Sequence, residues 1–176
     1  MNIVLTGFMA SGKTAISKAI SHNSEFQRID TDDMIVDMTG KSINDIFAEF
    51  GEDEFRRIEH KAVCKVSALD GYVIATGGGV VLDKDNIKEL RKNGVIVNLA
   101  PDFEVIVSRL ANARRTRPLL KNSDIEDVKK RFLARLPYYE DRDIEIRIVK
   151  DRSPQEYAEE ILTKCRDLAR MREKNE

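Results

Sequence analysis

The chain has 176 residues, a length that fits one domain able to bury a substantial core without disulfides. Its 30 Lys+Arg against 31 Asp+Glu leave a net charge of -1, which argues against a nucleic-acid protein held by bulk electrostatics. Cys64 and Cys165 fit no disulfide or metal spacing, no apolar run approaches the roughly 18 residues of a membrane span, and no signal-peptide pattern opens the chain, so the expected setting is cytoplasmic and away from membranes.

Short apolar runs alternate with helical patterns along the chain. Ile3 to Leu5, Phe26 to Ile29, Tyr72 to Ala75, Val95 to Leu99 and Ile144 to Val149 read as strands, with helices between them. That alternation predicts an α/β fold, a parallel sheet with helices on both faces. The first, third and fourth runs are the most continuously apolar and read as central strands. The last alternates Ile144, Ile146 and Ile148 with Glu145 and Arg147, the pattern of a half-exposed edge. The two histidines, His22 and His60, have no metal-ligand partner in the sequence and are expected on helix surfaces.

Directly after the first strand comes Gly7-Phe8-Met9-Ala10-Ser11-Gly12-Lys13-Thr14, a match to G-x-x-x-x-G-K-[ST] at every fixed position. A triphosphate is held by many inward-pointing backbone N–H groups, so the loop must curl tightly, and Gly7 and Gly12 permit the angles required. Lys13 neutralises β/γ-phosphate charge, Thr14 offers a hydroxyl to Mg²⁺, and the helix from about Lys13 to Ser21 aims its positive end at the phosphates. The loop identifies a nucleotide site and leaves the reaction open, because kinases, GTPases and motor ATPases share it.

The second strand ends in Asp30-Thr31-Asp32-Asp33. Alternation at a strand end turns Asp30 and Asp32 to the same side, where one acid can support Mg²⁺ and the other accept a hydroxyl proton; the competing reading is a cap for the next helix. The third strand ends in Thr76-Gly77-Gly78-Gly79, either bare backbone for a close ligand or a flexible turn. Arg56 and Glu59 are three apart on a helical stretch, the spacing of a surface ion pair, or of an arginine free to bind a carboxylate if it faces the crevice. Arg109, Arg114, Arg115 and Arg117 crowd a segment that reads as a closing lid or as a solvated loop. Arg135 sits where Pro137 ends a long helix, as an anion anchor or a surface arginine. The final helix is signalled by Ser153, Pro154 and Glu156, a capping box with proline at the first position; its charged tail beyond Glu160 reads as a solvated end.

Taken in order and spacing, the phosphate loop, Asp30-Thr31-Asp32, Thr39-Gly40-Lys41-Ser42-Ile43, Phe55-Arg56-Arg57-Ile58-Glu59, Thr76-Gly77-Gly78-Gly79, Arg117-Pro118-Leu119-Leu120 and Arg135 before Pro137 and Tyr139 resemble the shikimate kinases, from Asn2 to about Glu160. The resemblance implies transfer of the ATP γ-phosphoryl group to the 3-hydroxyl of shikimate, on the route to chorismate and aromatic amino acids. It implies one domain over 1–176, a five-stranded parallel sheet in the order 2-3-1-4-5, a substrate-binding helical region at about 31–61 and a mobile lid at about 111–123. By similarity, Asp32, Lys13 and Arg117 are catalytic, and Gly7, Ala10, Ser11, Gly12, Lys13, Thr14 and Ala15 cradle ATP with Arg109, Arg117, Arg152 and Pro154. Asp32, Phe55, Arg56, Glu59, Gly77, Gly78, Gly79 and Arg135 hold shikimate; Thr14, and Asp30 through water, hold Mg²⁺. The expected partner is a small-molecule substrate, and the expected state a monomer.

Two positions depart from the family pattern. Ala10 stands where glycine is usual, which bears on loop geometry, and Asp143 stands where alanine is usual. Three rivals remain: a gluconate kinase of the same fold, a GTPase switch and a degenerate binding module. Asp37-Met38-Thr39-Gly40 matches D-x-x-G, but it falls in a helical stretch and no N-K-x-D motif follows. Intact Lys13, Asp32, Arg56 and Arg135 argue against a degenerate module.

Overall fold

The computed structural model describes residues 1–116 and 125–174. Five parallel strands form one sheet: β1 (Asn2–Thr6), β2 (Gln27–Asp30), β3 (Tyr72–Ala75), β4 (Gly94–Pro101) and β5 (Ile144–Ile148), in the spatial order β2-β3-β1-β4-β5. β1 lies centrally, with Leu5 level with Ala75 on one side and Val97 on the other. Such a strand is covered on both faces and β1 is buried at all five positions, apolar from Ile3 to Leu5 and polar only at its ends, where Asn2 donates to the Leu69 carbonyl and Thr6 to Asn98. β5 alternates buried and exposed residues as its sequence pattern predicts.

Seven α-helices cover the sheet among the described residues: α1 (Lys13–His22), α2 (Thr31–Thr39), α3 (Ile43–Ser67), α4 (Lys84–Arg91), α5 (Phe103–Thr116), α6 (Ile125–Arg135) and α7 (Pro154–Glu173). The strand period of two sorts the core. Ile3, Leu5, Val95 and Val97 pack against Ile16 and Ile20 of α1 and Tyr157 and Ile161 of α7. Val4, Ile74 and Ile96 face the other way, onto Val63 of α3, Leu90 of α4, Ile106 of α5 and Phe132 of α6. A third apolar cluster, Ile35, Ile46, Phe55 and Ala62, joins α2 to α3 beside the sheet.

The Thr39-to-Ile43 motif is a helix-to-helix turn. Gly40 ends α2 at φ 66°, and Ser42 caps α3 by accepting from the Asp45 N–H. The D-x-x-G match is therefore a helix end. Gly51, at φ 79° and ψ -179°, breaks α3 into two segments.

α7 opens with the expected capping box at Ser153 and Glu156 and proline in its first turn. Its tail departs from the solvated end expected from sequence. Cys165 is buried, Leu168 packs on the core, and the Arg172 guanidinium donates to Asp143 Oδ1 at 3.1 Å. Apolar residues on the inner face carry the helix along the sheet well past Glu160. His22 closes α1 as expected; His60 is tied to α4 by a 2.7 Å contact between Nδ1 and Asn86 Oδ1. No helix among the described residues is long and apolar enough to cross a membrane.

Candidate active site

The site forms at the carboxyl ends of β1, β2 and β3, where an open parallel sheet leaves a crevice. The loop between β1 and α1 curls so that Gly7 takes φ 143° and Gly12 φ 103°. A β-carbon on Gly7 would fall 2.7 Å from the Leu99 carbonyl oxygen, so only glycine fits there. Lys13 Nζ donates to the Gly7 carbonyl at 2.6 Å and the Phe8 carbonyl at 3.0 Å, holding the ammonium over the loop. Burial lowers its pKa to about 8, against the pull of Asp32 and Asp30 in the other direction.

Beside the loop lies a cavity of about 480 Å³. Ala10, Gly12, Lys13, Thr14 and Ala15 line it together with Arg109 from α5 and Arg152 and Pro154 at the start of α7. Residues spread over the whole chain thus meet in one volume of nucleotide size. Gly7 and Ser11 stand behind this lining; Ser11 is buried and its hydroxyl lies 3.3 Å from Lys13 Nζ. Arg109 Nη1 donates to the Ala10 carbonyl at 2.8 Å, tying α5 to the loop. Arg117 lies outside the described residues, as does most of the segment from 111 to 123.

The acid cluster differs from the strand-end arrangement inferred from sequence. β2 stops at Asp30, and Asp32 belongs to the first turn of α2. Asp30 is the cap of that helix, its Oδ1 accepting from the Asp32 N–H at 3.0 Å, while its Oδ2 accepts from Arg28 at 3.2 Å. Helix capping and proximity to Lys13 therefore coexist in one carboxylate. Burial raises the pKa of both Asp30 and Asp32; for Asp32 the neighbouring Asp30 charge adds to it and Lys13 opposes it.

Two of the three glycines, Gly77 and Gly79, are packed tightly against functional side chains. A β-carbon on Gly77 would fall 2.8 Å from Asp32 Oδ1 and 3.3 Å from Glu59 Oε1. One on Gly79 would fall 2.5 Å from Arg56 Nη1. One on Gly78 would make ordinary contacts, the nearest the Met9 amide nitrogen at 3.5 Å. The turn is pinned by the Gly77 N–H donating to Thr31 Oγ1 at 2.9 Å and by Tyr139 Oη donating to the Gly78 carbonyl at 2.8 Å. Sequence reasoning passed over Thr31 and Tyr139 as site-shaping groups. Their hydroxyls lie within or beside recognised motifs, the only signal available.

Arg56 and Glu59 are paired at 2.7 Å, but the pair is no surface decoration. The Glu59 side chain is 2% exposed, and burial raises its pKa even though Arg56 pulls it down. Glu52 also accepts from Arg56, at 3.1 Å. Phe55 is buried in the α2–α3 cluster, with the Arg56 guanidinium over its ring at 5.2 Å from the centroid and the Phe47 ring tilted against it at 4.4 Å. Arg135, the last residue of α6, donates to the Gly78 carbonyl at 3.3 Å, so α6 delivers a second guanidinium to the glycine turn.

Among the described residues no group of three or more His, Cys, Asp or Glu side chains could cage a metal ion. The donors present are the Thr14 hydroxyl and the Asp30 and Asp32 carboxylates. Such sparse oxygen donors fit a Mg²⁺ ion that arrives with nucleotide phosphates and keeps several waters.

The shikimate kinase family model matches residues 9–166. A shikimate kinase of Thermoanaerobacter pseudethanolicus is 45% identical over 162 residues, covering 92% of this chain and 94% of its own. One from Caldicellulosiruptor bescii is 47% identical over 146 residues, covering 82% and 84%. The solved shikimate kinase of Acinetobacter baumannii in complex with shikimate superposes with a TM-score of 0.83 at 28% identity, covering 94% of this chain and 93% of its own.

Proposed function

The chain belongs to the shikimate kinase family, and from that premise we propose how its residues carry phosphoryl transfer from ATP to the 3-hydroxyl of shikimate. The observation that carries the reading is the convergence of Asp32, Arg56 and Arg135 on the Gly77–Gly79 turn, next to Lys13. Shikimate is a small carboxylate bearing several hydroxyls. Arg56 and Arg135 take the carboxylate, each offering planar donors for a bidentate contact, with the Gly78 backbone beside them. Glu59 holds the Arg56 guanidinium in place, and Phe55 supports it.

Asp32 binds the substrate hydroxyls and accepts the proton of the attacking one. Burial raises its pKa, which makes it a better base than an exposed carboxylate, while the Lys13 ammonium beside it favours the ionised form. Phosphoryl transfer passes through a loose transition state, so positioning and charge neutralisation outweigh base strength. Lys13 neutralises charge on the transferring group. Its own proton, held less firmly than that of a free lysine, is secured once phosphates arrive. Mg²⁺, bound with ATP, would be held by Thr14 and, through water, by Asp30, and would neutralise phosphate charge. Arg109, Arg152 and Pro154 flank the base of the nucleotide, and Arg117 reaches the phosphates from the lid.

We take 1–176 as one catalytic domain acting as a monomer in the cytoplasm; the two free cysteines are compatible with that compartment. The test is ADP release by purified protein with ATP and Mg²⁺, comparing shikimate, gluconate and no acceptor. Saturable turnover with shikimate alone is expected. Turnover with gluconate alone would move the assignment to the sugar-acid kinase reading.

A further inference from the structure

Arg28 belongs to no part of the site assigned above, yet it touches both halves of it. It lies two residues before Asp30 on β2, and alternate strand residues share a side. Its Nε donates to Ser17 Oγ at 3.0 Å, and Ser17, fully buried in α1, donates to the carbonyl of Thr14 at 3.0 Å. Its Nη2 donates to Asp30 Oδ2 at 3.2 Å, and Nη1 lies 3.9 Å from the exposed Asp33. Asp30 Oδ1 is taken by the Asp32 N–H, so both carboxylate oxygens have a fixed donor and the plane of the group is set.

The placement carries an electrostatic conflict. A permanent cation, 23% exposed, sits beside the carboxylate that is assigned to support a dication and that already feels the Lys13 charge. An apolar side chain would satisfy a half-covered edge strand without that repulsion. What an apolar residue cannot do is bridge α1 to the start of α2. The guanidinium fork does so with two separate N–H groups, one to the helix that begins with Lys13 and Thr14 and one to Asp30.

We propose that Arg28 is a positioning residue that holds Asp30 in register with Thr14 for the Mg²⁺ that accompanies the nucleotide. This rests on the reading of Asp30 as a metal-supporting acid. Groups that orient metal-supporting ligands typically change metal affinity by about 10- to 100-fold when removed, and the lower end applies to one acting through water.

The experiment is calorimetric titration of ADP across a series of Mg²⁺ concentrations, with thermal melts alongside, for the full chain and for Arg28→Leu, Arg28→Lys, Ser17→Ala and Asp30→Asn. Arg28→Leu is expected to raise the Mg²⁺ concentration for half-maximal enhancement of ADP affinity about tenfold, leaving Mg²⁺-free affinity within about twofold. Arg28→Lys, which keeps the charge without the fork, falls between wild type and Arg28→Leu. Ser17→Ala shifts the requirement in the same direction and serves if Arg28→Leu does not fold. A lowered melting temperature with an unchanged Mg²⁺ requirement would make Arg28 a fold residue and overturn the proposal, provided Asp30→Asn raises the requirement. A lower Mg²⁺ requirement in Arg28→Leu would make it a competing counter-charge, also overturning it. If Asp30→Asn too leaves the requirement unchanged, the Asp30 reading fails and this inference with it.

Discussion

Asp32 and Gly77 are matched in space: the carboxylate oxygen Oδ1 lies 2.8 Å from the point a β-carbon on residue 77 would occupy. Both obstacles at that point, Asp32 and Glu59, are side-chain ends, so Gly77→Ala is accommodated by moving the acids and the fold survives. Misplacing a reacting group by about 1 Å costs on the order of 10²-fold. Gly77→Ala is expected to lower kcat by about that factor with ATP affinity unchanged. Gly79→Ala pushes on Arg56 instead, and raises the KM for shikimate about tenfold, the worth of one charge-assisted hydrogen bond. Steady-state kinetics of the two variants separate the roles. Equal effects on kcat and KM in both would mean that the turn moves as a unit.

Asp32→Asn separates chemistry from stability. Folding raises the Asp32 pKa above its ordinary 3.8, chiefly by burial, so in the window above 3.8 the native state binds the proton more tightly than the unfolded chain. Stability from this group therefore falls as pH rises through the window, and at neutral pH the ionised form is a net cost. The asparagine variant is expected to lose at least about 10²-fold in turnover. It should also be no less stable than wild type at pH 7 and show a weaker decline of stability as pH rises from 3.8 in urea unfolding. Near-normal turnover would remove Asp32 as the base; a large loss of stability would contradict the pKa direction.

The strands and the phosphate loop were legible because their signals are local, whereas the sheet order came only with the family resemblance. A strand-loop-helix with fixed glycines reports its own backbone, and runs such as Ile3 to Leu5 report burial on both faces. The facing of Arg56 and Glu59 was not legible from their spacing. The break at Gly51 restarts the helical phase inside α3, so periodicity from Ile43 does not say which side residue 59 presents. Asp32 was read at a strand end, but it belongs to α2, because Asp30 ends the strand and caps the helix at the same position. The reason for Gly77 and Gly79 lay in side chains about 20 or more residues away in sequence, which no local pattern reports.

Ala10 has φ 60° and is the one non-glycine residue with positive φ among those described. The family's usual glycine would carry no strain there, whereas an L side chain in this region costs about 1–2 kcal/mol. Ala10→Gly recovers that and gives back about 0.5–1 kcal/mol through the freer unfolded chain. The net expectation is a gain of about 0.5–1 kcal/mol, a rise of about 2 °C in Tm, with the KM for ATP within about twofold. The Arg109 bond to the Ala10 carbonyl survives the change, since it uses backbone. A loss of stability would show that the methyl group makes packing contacts worth more than the strain.

Asp143 gains a structural account that its sequence context withheld. Its backbone N–H donates to the Ile96 carbonyl at 2.9 Å, and its Oδ2 accepts from the Ile96 N–H at 2.8 Å, so one residue closes the start of the β4–β5 ladder from both sides. Oδ1 takes Arg172 from the far end of α7, and Arg91 of α4 lies 3.6 Å from Oδ2. The family's usual alanine leaves the Ile96 N–H without this acceptor. Asp143→Ala is therefore expected to cost about 2 kcal/mol, mostly from the stranded N–H. Asp143→Asn keeps an acceptor and loses only ion pairs near the surface, costing less than about 1 kcal/mol. Urea unfolding measures both, and the kinetic constants should stay unchanged because the residue lies at the amino-terminal edge of the sheet, away from the crevice. Equal losses in the two variants would assign the stabilisation to the arginines. A loss below about 0.5 kcal/mol in Asp143→Ala would mean that water replaces the carboxylate at Ile96 without penalty.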